Sequence, residues 1–357
     1  MKVFLAAIVV LFFVSCFLSL DSAFAYLYEP EEDEESYQVS GIGPVAIRNQ
    51  MPLYLFYLQM VPDKASVVER NRFVIDADYT VSNITVSAFT PISSFYDIQI
   101  DLEVQRITLD FRYGVYDNLE IGLEVPYIGL CSGYLDNAIE GFEDGIGART
   151  PRSRERQGSY EFDYSFKYGP GNYLIQQKTS THGLGDVVLT AKYQLLRESE
   201  WHWLFPNISV RSAIKFPTAD EDDLIGSGEF DYGFGILIDK RFFDRLFVYT
   251  GASVMRIEKP DVFSVLGIDQ EFYSYMLALE YFFTERFSVV TQVTGNNTPY
   301  SYSQTNPLDN DAHDWALGFN YRWKERTDVS WNFAVVENIS AASSPDVSFN
   351  TSLNWGF

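Results

Sequence analysis

Residues 346–357 alternate without a break. Val347, Phe349, Thr351, Leu353, Trp355 and Phe357 fall on one face of an extended strand, and Asp346, Ser348, Asn350, Ser352, Asn354 and Gly356 fall on the other. One face suits lipid and the other suits water. The two-residue period recurs upstream, and strands are predicted near 71–83, 104–116, 118–128, 184–197, 204–217, 228–241, 244–257, 270–283, 286–298, 312–324, 327–338 and 346–357. The connections sort by parity. Short links follow the even strands (Asp117-Asn118, 198–202, 241–244, Thr284-Glu285 and 324–328), while longer ones follow the odd strands, the longest spanning 129–183 and holding Arg149, Arg152, Arg154 and Arg156. A soluble sandwich, the alternative for so regular a terminal strand, has no reason to sort its loops in this way. The predicted fold is all-β: an antiparallel up-and-down transmembrane β-barrel of about twelve strands, with short periplasmic turns and longer extracellular loops.

Face assignment follows from the alternation. In the second strand Ile107, Leu109, Phe111, Tyr113 and Val115 would face lipid, and Arg106, Thr108, Asp110, Arg112 and Gly114 the lumen. The third places Leu119, Ile121, Leu123, Val125 and Tyr127 outward, with Glu120 and Glu124 inward. Further lumen-lining candidates are Asp76, Asp78, Lys192, Arg211, Lys215, Asp231, Asp239, Asp314 and Arg322. Charges of both signs inside a barrel either pair as a structural network or line a solvated conduit. Twelve strands enclose more space than wall side chains alone can fill, so a lumen or a plug is expected. Residues 26–70 precede the first strand and carry an apolar run from Leu53 to Val61, which makes them a plug or a periplasmic segment.

The N-terminus adds a compartment. Lys2, the apolar run Val3–Leu20 and the small-x-small pattern ending at Ala25 read as a secretory signal peptide, giving the boundaries 1–25 signal, 26–70 N-terminal segment or plug and 71–357 barrel. A membrane anchor is the alternative for the first segment, and Phe13-Val14-Ser15-Cys16 is a poor match to a lipoprotein processing box. After cleavage Cys131 is the one cysteine, so no internal disulfide forms. Aromatic residues make up 17% of the chain, with 24 Tyr and 29 Phe, as interfacial girdles require. The net charge of −23 argues against nucleic acid as a partner. Its two concentrations, Glu29–Glu35 and Asp220–Asp223, read as solvated segments, and the second lacks the glycine of an EF-hand loop.

Catalytic chemistry has little to draw on. The three histidines are His182, His202 and His313, and the one serviceable pair is Ser180 with His182, two residues apart and without a Gly-x-Ser-x-Gly elbow. An outer-membrane lipid hydrolase is thereby the weakest reading. No Cys-x-x-Cys, His-Glu-x-x-His or P-loop pattern suggests a metal or cofactor.

The string Gly43-Pro44-Val45-Ala46-Ile47-Arg48-Asn49-Gln50-Met51-Pro52 resembles the N-terminal signature of a proteobacterial family of uncharacterised outer-membrane-type proteins. The resemblance continues in Arg112 to Gly122, in Gly183-Leu184-Gly185-Asp186, and in Lys215-Phe216-Pro217-Thr218 followed by Gly226-Ser227-Gly228. The last three segments are also similar to transport barrels linked to phenol-type aromatic degradation. Where many of these read Pro-Thr-Gly-Asp, this chain has Pro217-Thr218-Ala219-Asp220, which questions a shared tight turn. The resemblance implies an envelope barrel, with passage or binding of small apolar or polar solutes as one expectation and a non-conducting structural or surface role as the other. Outer-membrane lipids, lipopolysaccharide and the barrel-assembly machinery, which would read Phe357, are the expected partners.

Overall fold

A computed structural model of the chain describes residues 40–89, 96–133, 135, 162–198, 205–300, 305–323, 328–339 and 343–357. The chain divides into Met1–Ser40 and Gly41–Phe357, and the description below concerns the second unit. The signal-peptide and processing expectations, the Glu29–Glu35 run, His202 and the arginines at 149–156 lie outside the described residues.

Among these residues the strands are β1 (Phe73–Phe89), β2 (Tyr96–Tyr116), β3 (Leu119–Cys131), β4 (Asp163–Tyr168), β5 (Tyr173–Gln177), β6 (Thr181–Leu184), β7 (Val187–Leu196) and β8 (Asn207–Phe216). They continue with β9 (Asp231–Phe242), β10 (Leu246–Arg256), β11 (Glu271–Phe282), β12 (Phe287–Asn296), β13 (Ala312–Arg322), β14 (Val329–Asn338) and β15 (Val347–Gly356). Twelve of them close antiparallel into a barrel, in the order β1, β2, β3 and then β7 through β15 back to β1. Each of the twelve stretches predicted from alternation is one of these strands. The closing seam runs in register from Val74 opposite Gly356 to Asn83 opposite Val347. Phe357 extends it, donating its N–H to the Phe73 carbonyl at 2.8 Å and stacking on Trp355.

Three strands were not expected. β4 and β5 form a hairpin on the outer half of β2, where Tyr96–Asp101 pair with Tyr168–Asp163, and β6 pairs with the outer end of β3 before running into β7 through Gly185 and Asp186. All three, apart from Leu184 at the end of β6, fall in the stretch read as one long loop. They have four to six residues each, too few for an alternating signal to separate them from loop sequence. The β4–β5 hairpin nevertheless commits Tyr164, Phe166 and Ile175 to burial.

The outer face of the barrel carries Ile107, Leu109, Tyr113, Ile121, Leu123, Tyr127, Leu277, Leu279 and Leu353, all exposed, while their alternate neighbours turn inward. A membrane-spanning strand needs roughly 9–11 residues. At 17 and 21 residues, β1 and β2 exceed that span, and their outer halves join β4 and β5.

Candidate functional site

The interior is occupied by the chain itself. Residues 41–70 pass through the space enclosed by the barrel as a two-limbed hairpin whose one sheet pairing is the bridge at Arg70, and side chains of the wall supply most of its hydrogen bonds to the barrel. The first limb begins near the periplasmic turns. There Glu280, fully buried on β11, accepts from the Ile42 and Gly43 N–H groups at 3.1 and 3.2 Å. Glu280 also accepts from the Tyr249 hydroxyl at 2.6 Å, the Ser288 hydroxyl at 2.6 Å and the Asn320 amide at 2.8 Å. Further up, Gln292 clasps Val45 twice, accepting from its N–H at 2.9 Å and donating to its carbonyl at 3.0 Å. Arg48 pairs with Glu124 on the opposite wall.

The tip is a 3-10 turn over Pro52–Tyr54, at the extracellular end. The Gln59 side chain ties the limbs together, accepting from the Asn49 N–H at 2.8 Å and donating to the Asn49 carbonyl at 2.9 Å. The second limb then descends. Leu58 N–H donates to Asp231 at 2.8 Å, Arg211 donates to the Val61 and Met60 carbonyls, and Val68 N–H donates to Glu120 at 2.6 Å. Asp239 and Ser209 satisfy the N–H and carbonyl of Ala65. At its foot Arg70 bridges to Gly114, where an added Cβ would stand 2.1 Å from the Glu69 carbonyl oxygen, so only glycine admits this approach.

Around the tip the lumen is apolar. Met51, Leu53, Tyr54, Phe56 and Leu58 pack with Ile98, Ile100, Leu102, Tyr164, Phe166, Met255, Phe263, Phe272 and Tyr300. Phe56 meets Phe263 edge-to-face at 5.0 Å, and the Tyr300 hydroxyl donates to the Leu53 carbonyl. Burial pushes the Tyr54 and Tyr57 hydroxyls upward, so both stay neutral. Around the foot the lumen is ionic. Lys192 lies 2.7 Å from Asp63 and 3.3 Å from Glu120, and Arg112 lies within 3.9 Å of Asp63, 3.8 Å of Asp76 and 3.2 Å of Asp110. Burial works to raise the Asp63 carboxyl, but Lys192 and Arg112 outweigh it and hold the group near about 2. Burial lowers the neighbouring Lys64, with Arg112 adding to the effect. Between the hairpin and β8 and β10–β13 remains a cavity of about 40 Å³ reached by Arg211, Ser253, Ser274, Thr294 and Asp314, room for very little besides water.

The residues named as lumen-lining candidates fall into two burial classes. Asp78, Arg106, Glu120, Glu124, Lys192, Lys215, Asp231, Asp239 and Asp314 are buried, and Asp76, Asp110, Arg112, Arg211 and Arg322 are half-buried. The structure gathers the first-limb partner Glu124 on one side and Lys192, Glu120, Asp76, Asp110 and Arg112 around Asp63. It also unites three of the sequence motifs. Lys215 lies 3.1 Å from Asp186 and 3.0 Å from Asp231, and donates to Ser227 Oγ at 2.5 Å and the Phe56 carbonyl at 2.6 Å. Asp186 accepts from the Thr218, Ala219 and Ser227 N–H groups at 3.1, 3.0 and 3.3 Å. Ala219 is not among the residues with positive φ, so the turn survives without its glycine.

Glu280, Gln292 and Asn320 were missed. For Glu280 the signal was available: it alternates with Leu277 and Leu279 and is an acid within the otherwise apolar stretch Tyr275–Phe282, which marks the inward face. Ser180 and His182 are exposed on the outer surface, where the His182 ring lies 6.1 Å from that of Tyr127. His313 sits on β13 against Tyr275, ring centres 6.2 Å apart.

A family model described as "Protein of unknown function (DUF3187)" matches residues 33–357. No curated protein matches the chain significantly. Among solved structures it is similar to the COG4313 outer membrane channel from Pseudomonas putida F1, with 14% identity and a TM-score of 0.55, over 84% of this chain and 100% of that one. More distant likenesses are to the KdgM porin in complex with disordered oligogalacturonate (9% identity, TM-score 0.41, 80% of this chain and 99% of that one) and the P. putida toluene transporter TodX (11%, 0.35, 81% and 89%). The first likeness establishes the fold, that of an outer-membrane β-barrel.

Proposed function

The chain belongs to the DUF3187 family of unknown function, and from that premise we propose that it is an outer-membrane barrel that passes or binds small solutes through a lumen gated by residues 41–70. One observation carries this reading. The hairpin fills the barrel but shares no strand ladder with it, so wall and filling are held by separate sets of bonds. A barrel that served only as a rigid anchor could fill its interior with wall side chains by using fewer strands. Here the Gly43–Pro52 signature forms the first limb, and its polar anchors Glu280, Gln292 and Glu124 all lie on the wall. In this reading residues 1–25 are a cleaved export signal, Phe357 closes the barrel as its assembly signal, and the exposed apolar belt meets outer-membrane lipid and lipopolysaccharide.

A second reading, a non-conducting structural barrel, draws on the apolar packing that seals the extracellular end. Single-channel recording on the refolded protein separates the two. The gated reading expects small or rare openings from the mature chain and a large, steady conductance once residues 26–70 are removed. Silence from a truncated barrel that still shows heat-modifiable mobility would exclude the conduit.

A further inference from the structure

The hairpin's backbone N–H groups are bonded to one side of the barrel, and it meets the other side through Val45 and Ile47 packed on Ala334 and Val336, the Asp63–Arg112 pair and the bridge from Arg70 to Gly114. Its N–H groups go to β3, β9, β11 and β12. The opposite wall, formed by β14, β15, β1 and β2, presents rows set by register. Asn354, Asp76 and Asp110 lie side by side in one row, and Asn332, Ser352 and Asp78 in the next.

This patch is rich in acceptors. Asn350 is 1% exposed and donates its amide to Asp78 at 2.6 Å and to Thr80 at 2.9 Å, while its Oδ1 is buried without a hydrogen-bond partner. Asn332 repeats the arrangement: its amide donates to Ser352 at 2.8 Å and its Oδ1 is unpartnered. Asp76 Oδ1 and Asp110 Oδ1 are likewise buried without a hydrogen-bond donor. Both carboxylates share the Arg112 guanidinium with Asp63, which Lys192 also holds. Four unpartnered oxygens in a low-dielectric wall call for a donor, and a charged one is worth most. Neighbouring side chains across a sheet stand about 4.5–5.5 Å apart. Among the described residues no group of three acidic, histidine or cysteine side chains is placed to hold a metal ion, whereas acceptors spread along the wall suit an ammonium group, whose N–H bonds diverge.

We propose that the wall of β14, β15, β1 and β2 is a binding track for small solutes carrying a primary ammonium group. It deepens the solute-binding reading above and rests on it. Asp76 and Asp110 hold the charge, with Asn332 and Asn350 as further acceptors higher on the wall. Exposure falls along the same direction: Asp76 and Asp110 are half-buried, whereas Asp78 and Asn350 are buried. The site therefore opens toward the periplasmic end.

The test uses the full mature chain refolded in detergent, with n-propylammonium chloride as probe and tetramethylammonium chloride, which has no N–H donor, as control at matched ionic strength. The unfolding midpoint should rise saturably with n-propylammonium alone. Asp76→Asn with Asp110→Asn should weaken the apparent affinity about tenfold or more. Asn332→Ala, a milder variant that keeps both carboxylates, should weaken it about threefold, and Asp261→Asn on the outer loops should leave it unchanged. Equal responses to both salts, or an unchanged affinity in whichever lumen variant folds, would overturn the track. Selective binding in a barrel that never conducts would instead sink the conduit and keep the track, and conduction without a selective response would do the reverse.

Discussion

One strand shows both halves of the lumen. The inward residues of β2 read Ile98, Ile100, Leu102 and Val104 in the outer half and Arg106, Thr108, Asp110 and Arg112 in the inner half. The outer half is a core: apolar side chains from the hairpin tip, the wall and the β4–β5 hairpin exclude water and gain burial energy without directional bonds. The inner half is a network, in which each hairpin group meets a specific partner and Asp63 keeps part of its surface accessible. Burial favours staying in place, whereas ion pairs reached by water contribute little net stability. The hairpin is thus fastened at its tip and adjustable at its feet.

If the outer half is the fastening, truncating its centre should cost most. Phe263→Ala removes a fully buried ring that packs against Phe56, Phe166 and Tyr300. A loss of about 3–5 kcal/mol is expected in equilibrium denaturation of the detergent-refolded barrel. A loss below about 1 kcal/mol would mean that the outer half is not packed as a core.

In the inner half, Glu280 behaves like a core residue. Replacing it by alanine strands two backbone N–H groups, two hydroxyls and an amide, and should cost about 3 kcal/mol. Limited proteolysis should then cut the first limb while sparing the second. Equal cutting of both limbs would show that they move as one piece.

Asp63 sharpens the contrast through pH. Its folded-state pKa is depressed from 3.8, so its contribution is complete above that value and is lost as pH falls toward about 2. The second limb should hold its protection from pH 7 to about 4 and loosen only below that, and Asp63→Asn, costing about 1–2 kcal/mol, should abolish the acid step. Loosening near pH 6 would assign the limb to another group. Smaller still is Gly43→Ala. With φ at +126° and the added Cβ only in ordinary van der Waals contact with the Lys64 side chain at 3.6 Å, its cost is backbone strain alone, about 1–2 kcal/mol by thermal denaturation.

The wall was legible because lipid on one side and water or protein on the other impose a strict two-residue period, and Leu353, Trp355 and Phe357 with Ser348, Asn350 and Ser352 show it plainly. The filling was not. Residues 41–70 have no period to read, since their bonds run to side chains such as Gln292, Glu280 and Asp231 that lie 173–247 positions away. The inward charges could be named one by one, but the grouping of Asp63 with Lys192 and Arg112 depends on how the second limb descends. β4–β6 escaped because strands of four to six residues leave too short a trace.

Amide hydrogen exchange on the intact refolded barrel tests most directly whether residues 41–70 occupy the lumen. The N–H groups of Val45, Leu58 and Ala65 donate to Gln292, Asp231 and Asp239 inside the wall. They should exchange as slowly as those of neighbouring strands, with Leu58 slowest because it sits beside the apolar half. Exchange of all three at the rate of an unstructured peptide would place the hairpin outside the barrel and contradict the account.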